Sequence, residues 1–177
     1  MDNNLMRALK FTMKWEGWFS NDKADPGGKT KYGISDAGDG TIDGFVDADR
    51  DGDGDVKVED LTKEQAIAIY HKSYWLDSGC DKLELPMAVV VFDTAVNCGV
   101  GRALRWLKQA QTVKEFLALR VNHYHRIIDN NSELKKFYRG WINRVVDLKK
   151  YVEILTEEVS PEATYITKLE GKDSKGG

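Results

Sequence analysis

Between residues 36 and 60 the chain carries ten acids against two bases, Arg50 and Lys57, and at its centre Asp49, Asp51, Asp53 and Asp55 recur at every second position. Like charges packed this densely repel one another, and the intervening Gly52 and Gly54 weaken any regular helix or strand. The segment must therefore wrap around a cation or stand in solvent. Residues 49–60 fit the first option closely. Calcium takes six to eight oxygens at about 2.3–2.6 Å, which requires a tight loop offering oxygen at alternate residues. Asp49, Asp51 and Asp53 occupy loop positions one, three and five, and Gly54 stands at position six, where the turn is sharp. Asp55 offers its carbonyl at position seven, Val56 supplies an apolar anchor, and Asp60 closes the loop. This is the EF-hand pattern with aspartate in place of the usual final glutamate. A register starting at Asp47 would end on Val58 and lacks the closing carboxylate. The expected cofactor is Ca2+ in a structural role; the alternative is a solvated acidic loop.

Outside this segment the chain is mildly basic, although its overall net charge is -3. Such a body suits an anionic polymer, or is simply a solvated surface. With 177 residues, 41% of them hydrophobic, it can bury a core without disulfide staples. Cys80 and Cys98 leave a disulfide open but suggest no disulfide framework. Charges at Asp2, Arg7, Lys10 and Lys14 interrupt any signal-peptide core, and the longest apolar run, residues 87–92, is too short for a membrane span.

Hydrophobic periodicity predicts a mainly helical α+β chain. Residues 4–16 read as a helix with Leu5, Leu9 and Met13 on one stripe, stopped by Gly17. Residues 19–45 are turn-rich, with Asp25-Pro26-Gly27-Gly28 as a strong turn, and short strands or hairpins fit near residues 31–34 and 41–46. Thr62-Lys63-Glu64-Gln65 has the form of a capping box leading into a helix through Trp75, with Ala66, Ile69, Tyr70 and Ser73 on one face. Pro86 in a first turn and a run of about twelve apolar residues favour a buried helix over residues 85–98. Further helices are expected over 102–110, 113–128 and 134–158, the last broken near Gly140. One domain over residues 1–159 is expected, with residues 36–60 as an insertion and 160–177 as a flexible tail.

Glu16 returns to the inward stripe of the first helix at its C-terminal end, between Trp15 and Trp18. Partial desolvation, the negative helix end and aromatic walls favour its protonated form, as a glycosidase acid requires. A capping or ion-paired glutamate is the plain alternative. Three histidines, His71, His123 and His125, lack metal-ligand spacing, which counts against a zinc amidase or peptidase. A nucleic-acid role has no recognised motif.

Trp15-Glu16-Gly17, followed by Asp25-Pro26-Gly27-Gly28-Lys29-Thr30-Lys31-Tyr32-Gly33-Ile34, resembles the glycoside hydrolase family 108 lysozymes. The likeness continues through residues 61–75, through Leu85-Pro86 and Phe92-Asp93-Thr94-Ala95-Val96-Asn97-Cys98-Gly99, and through Gly140-Trp141-Ile142-Asn143-Arg144. Trp18 replaces the second glycine of the family's Glu-Gly-Gly motif, and the acidic loop looks like an insertion, similar locally to dockerin calcium loops.

The resemblance implies a lysozyme-like single domain and cleavage of the β-1,4 bond between N-acetylmuramic acid and N-acetylglucosamine in bacterial peptidoglycan. By it Glu16 becomes the general acid, Asp25 the second carboxylate and Thr30 a holder of water, with Asp22 as fallback. Asp25 also has an ordinary place in its turn. Tyr32, Tyr74, Trp75 and Asn97 are cleft candidates, although Tyr74, Trp75 and Trp141 suit core packing equally well. The implied setting is a phage endolysin made in the host cytoplasm, acting on the wall after release and expected as a monomer. A bacterial effector is a second possibility. A non-catalytic calcium-dependent wall-binding module is the rival class, weakened because dockerins need two loops.

Overall fold

The computed structural model describes residues 3–16, 30–35, 41–42, 56–57 and 60–159. Asp22, Asp25, Asp49, Asp51, Asp53, Asp55 and the 160–177 tail lie outside the described residues. Within them the chain is mainly helical, as its periodicity predicts.

Helix α1 (Asn3–Trp15) buries Leu5, Ala8, Leu9, Phe11, Thr12 and Met13. Two short antiparallel ladders follow. β1 (Thr30–Lys31) pairs with β2 (Ile34–Ser35), and β3 (Thr41–Ile42) pairs with β4 (Val56–Lys57). The β1–β2 connection consists of Tyr32 at φ +57° and Gly33 at φ +74°. Two consecutive positive φ values are what a two-residue type I′ hairpin needs, and an aromatic residue adopts the first only under constraint.

Helix α2 (Lys63–Tyr70) begins with the expected reciprocal cap: Gln65 N–H donates to Thr62 Oγ1 at 3.2 Å and Thr62 N–H to Gln65 Oε1 at 2.6 Å. It continues into a π-helical turn, His71–Leu76. α2 buries Ala66, Ile67 and Tyr70, and the wider turn after it carries Trp75 inward and leaves Ser73 exposed. The face extrapolated from regular α-helical spacing fails at this turn.

Helix α3 (Leu85–Cys98) opens with Pro86 in its first turn and buries Leu85 and every residue from Ala88 to Ala95. Each large side chain so enclosed contributes about 1.5–3 kcal/mol relative to exposure. α1, α4 (Val100–Leu107), α5 (Val113–Asn130) and α6 (Lys135–Val159) pack around it. α4 starts two residues earlier than expected, because Gly99, at φ +89°, turns the chain directly from α3. α6 does not break at Gly140: it is continuous over 25 residues. Glycine alone costs a helix only about 1 kcal/mol, and Tyr138 before it and Trp141, Val145, Leu148, Val152 and Leu155 after it supply packing on either side. Cys80 and Cys98 are both free thiols.

Candidate active site

Glu16 caps the end of α1, with its N–H donating to the Thr12 carbonyl at 3.1 Å. Its side chain is about one quarter exposed, and Oε1 accepts a hydrogen bond from Arg144 Nη1 at 2.6 Å. Arg144, on α6, is itself held from behind. Its Nη2 donates to Asp93 Oδ1 at 2.7 Å, and its Nε lies 3.2 Å from both Asp93 oxygens. Asp93, wholly buried on α3, also receives Arg120 Nη1 at 2.6 Å and the Thr12 hydroxyl at 3.0 Å. Arg120 Nε donates onward to the Tyr124 hydroxyl at 2.8 Å, which donates to Asn97 Oδ1 at 2.6 Å. One chain of hydrogen bonds, charge-assisted as far as Tyr124, thus runs from Glu16 to Asn97 through four helices.

Two acids and two guanidiniums balance in this chain, and each buried charge has an opposite partner, the condition under which burial is tolerated. Burial pushes the Asp93 carboxyl up, but Arg120 and Arg144 outweigh it and hold it below the ordinary carboxylate range.

The hairpin covers Glu16 from the other side. The Tyr70 hydroxyl donates to the Tyr32 carbonyl at 3.1 Å, fastening the turn to α2. A Cβ added to Gly33 would stand 2.8 Å from Glu16 Cβ and 2.8 Å from the Tyr70 hydroxyl, so only glycine fits without displacement. Tyr74 is half-buried with its ring 5.5 Å from that of Tyr70. Burial raises both phenols above their ordinary value, and the nearby Glu16 charge adds to it.

Beside Arg144 opens a groove of about 320 Å³ lined by Trp15, Asn97, Lys136, Phe137, Gly140, Trp141 and Arg144. Trp141 stacks on Tyr124 at 5.2 Å between centroids and on Phe137 at 6.2 Å. The Trp15 indole N–H is enclosed and has no acceptor among the described residues.

The structure therefore brings Tyr74 and the Tyr32–Gly33 turn to Glu16 and places Asn97 in the groove wall. Thr30 stands in β1 opposite Ser35. Trp75 is corrected: it is 1% exposed, edge-on to Phe92 at 5.7 Å, and offers a sugar no face. Asp60 is exposed at the approach to α2. Among the described residues no cluster of three or more His, Cys, Asp or Glu side chains is placed to hold a metal. His123 packs on Trp106 and Tyr124, and His125 Nε2 lies 2.6 Å from the Tyr138 hydroxyl.

Asp93 and Arg144 entered the sequence reading only within motifs, with no role of their own, and Arg120 and the Lys136–Phe137 edge of the groove were not read as site residues. Their signal was present. Asp93 interrupts an apolar run, Arg120 shares a stripe with Phe116, Leu117 and Tyr124, and Arg144 shares one with Trp141 and Leu148. A charge on a buried stripe demands an opposite charge elsewhere.

A partly exposed carboxylate, gripped by a guanidinium beside an aromatic and amide groove, is an arrangement suited to saccharide chemistry. Residues 9–99 match the family model described as Glycosyl hydrolase 108. The match covers just over half of the chain, so the chain belongs to that family and is a glycoside hydrolase. No curated protein and no solved structure matches significantly. No helix among the described residues is long and apolar enough to cross a membrane.

Proposed function

We propose that the chain is a muramidase that hydrolyses the β-1,4 bond between N-acetylmuramic acid and N-acetylglucosamine in peptidoglycan, with Glu16 as general acid. The observation that carries this reading is the match of residues 9–99, Glu16 among them, to this hydrolase family; the 2.6 Å pair with Arg144 is the ion-paired role that the sequence leaves open for Glu16 beside the acid one. In the reaction Glu16 gives its proton to the glycosidic oxygen as the bond to the anomeric carbon breaks. The Arg144 guanidinium beside Oε1 balances the charge of the carboxylate left behind. Asp25 is proposed to stabilise the oxocarbenium-like centre or activate water, with Thr30 assisting; Asp25 follows Glu16 by nine residues and Thr30 begins the hairpin ladder that covers it. Tyr32, Tyr74 and Asn97 are proposed to contact the sugar.

Calcium is proposed as a structural cofactor of the insertion, held by Asp49, Asp51, Asp53, the Asp55 carbonyl and Asp60. The exposure of Asp60 and the β3–β4 pairing, which puts Val56 of the loop against Ile42, support it. The ion would order the loop and supply no step of the hydrolysis. A phage-endolysin role, with release to the wall, accords with the same activity.

Incubation with purified peptidoglycan tests the reading. Released fragments should carry a reducing muramic acid end by mass spectrometry. Fragments cut at the amide instead, or no fragments at all, would refute it.

A further inference from the structure

α6 passes unbroken through Gly140, although glycine weakens a helix interior by surrendering the most backbone freedom on folding. Neither usual reason for such a glycine applies. Positive φ among the described glycines belongs to Gly33, Gly79 and Gly99, not to Gly140. A Cβ built on Gly140 would meet no neighbouring described atom within 4 Å. Fold geometry and packing among the described residues both tolerate alanine here. What Gly140 does do is line the groove beside Arg144, where a Cβ would stand in open groove space.

Phe137 shares this lack of a folding rationale. It is 49% exposed, a cost to solubility that buys no core packing. Trp141 is braced against Tyr124, whose hydroxyl is fixed by Arg120 and Asn97, so the Phe137–Trp141 platform is rigid. The lining holds two cations and no acid. Arg144 is committed to Glu16 and Asp93. Lys136 stands 5.1 Å from the Phe137 centroid and meets no carboxylate among the described residues.

We propose that this groove is a subsite for one sugar ring that bears an anionic arm: the ring lies on the exposed Phe137 with Trp141 as a wall, Gly140 lets it approach the helix backbone, and Lys136 receives the arm's carboxylate. The inference rests on the glycan-hydrolase reading above and adds which part of the polymer is recognised. In peptidoglycan the arm is the carboxylate-bearing peptide attached to the muramic acid lactyl group.

The test measures binding rather than turnover. Chains carrying Glu16→Gln, alone and combined with Gly140→Ala, Phe137→Ala or Lys136→Gln, are co-sedimented with insoluble peptidoglycan in the cold and titrated with neutral N-acetylglucosamine oligomers. Gly140→Ala should raise the melting temperature by about 2–4 °C and yet weaken peptidoglycan binding. Phe137→Ala should weaken both ligands, roughly three- to tenfold. Lys136→Gln should weaken peptidoglycan alone. A Gly140→Ala chain that melts higher and binds as tightly as its parent overturns the subsite, and unchanged peptidoglycan binding by Lys136→Gln overturns the anionic arm. Failure of the hydrolase reading would show separately, as absence of fragments from the unmodified chain, without altering these binding ratios.

Discussion

Gly33 rests directly on Glu16: the space where its β-carbon would project is already taken by Glu16 Cβ and by the Tyr70 hydroxyl. The hairpin turn and the end of α1 are therefore positioned by contact, at a backbone φ of +74° that L side chains rarely adopt.

Gly33→Ala should destabilise the fold by about 1–3 kcal/mol. By displacing Glu16 or the turn by a fraction of an ångström to an ångström, it should also slow hydrolysis by up to roughly 100-fold. Urea unfolding and initial rates on peptidoglycan check both; wild-type rates would show that the contact does not position the acid.

Glu16→Gln keeps the shape of the side chain and removes its proton-donating ability. Hydrolysis should fall by at least about 100-fold, with an unchanged circular-dichroism spectrum. Substantial surviving activity would remove Glu16 from the mechanism.

Asp93→Asn leaves Arg120 and Arg144 facing a neutral amide in a buried setting, and should cost about 3–5 kcal/mol. The native pH dependence follows from the same group. The Asp93 carboxyl is held below its ordinary value in the fold. Its contribution to stability is therefore fully present above the unfolded value, about 4, and is lost as pH falls through the lower folded value. Acid unfolding of the unmodified chain should steepen below that point, and Asp93→Asn should flatten it. Parallel acid-unfolding curves would contradict the assignment.

Calcium that binds only the folded loop raises the melting temperature with the logarithm of its excess over the dissociation constant. Millimolar calcium should stabilise the chain relative to chelator, and the combined Asp49→Asn and Asp51→Asn change should abolish the difference. Identical melts in calcium and chelator would dismiss the cation.

The Cys80 thiol is pushed up to about 12 by burial, with Asp81 adding to this and the Ser78 hydrogen bond opposing it. Alkylation at pH 8 should modify Cys98 and spare Cys80 until the chain unfolds. Mass mapping that finds Cys80 modified first in the native protein would contradict its burial.

Local order was legible in the sequence because local physics sets it. The Thr62–Gln65 cap, Pro86 at the start of α3 and the apolar stripe of α1 each depend on residues three or four apart. The π-helical turn and the continuity of α6 were not legible, because both are settled by what α3 and α5 present to those segments. The same holds for Trp75, whose burial follows from that turn. Of the site, Glu16 was visible through its place at a helix end between indoles. Its pairing with Arg144 joins positions 128 residues apart, and no local pattern encodes a partner at that distance.

The family match ends at residue 99, yet Asp93 inside it is neutralised by Arg120 and Arg144 from beyond. The front half on its own is electrically incomplete. A chimera grafting residues 1–99 onto a foreign helical half would carry a stranded anion into its interior unless both arginines travelled with it. The two halves are thus bound to be inherited, recombined or redesigned as a set.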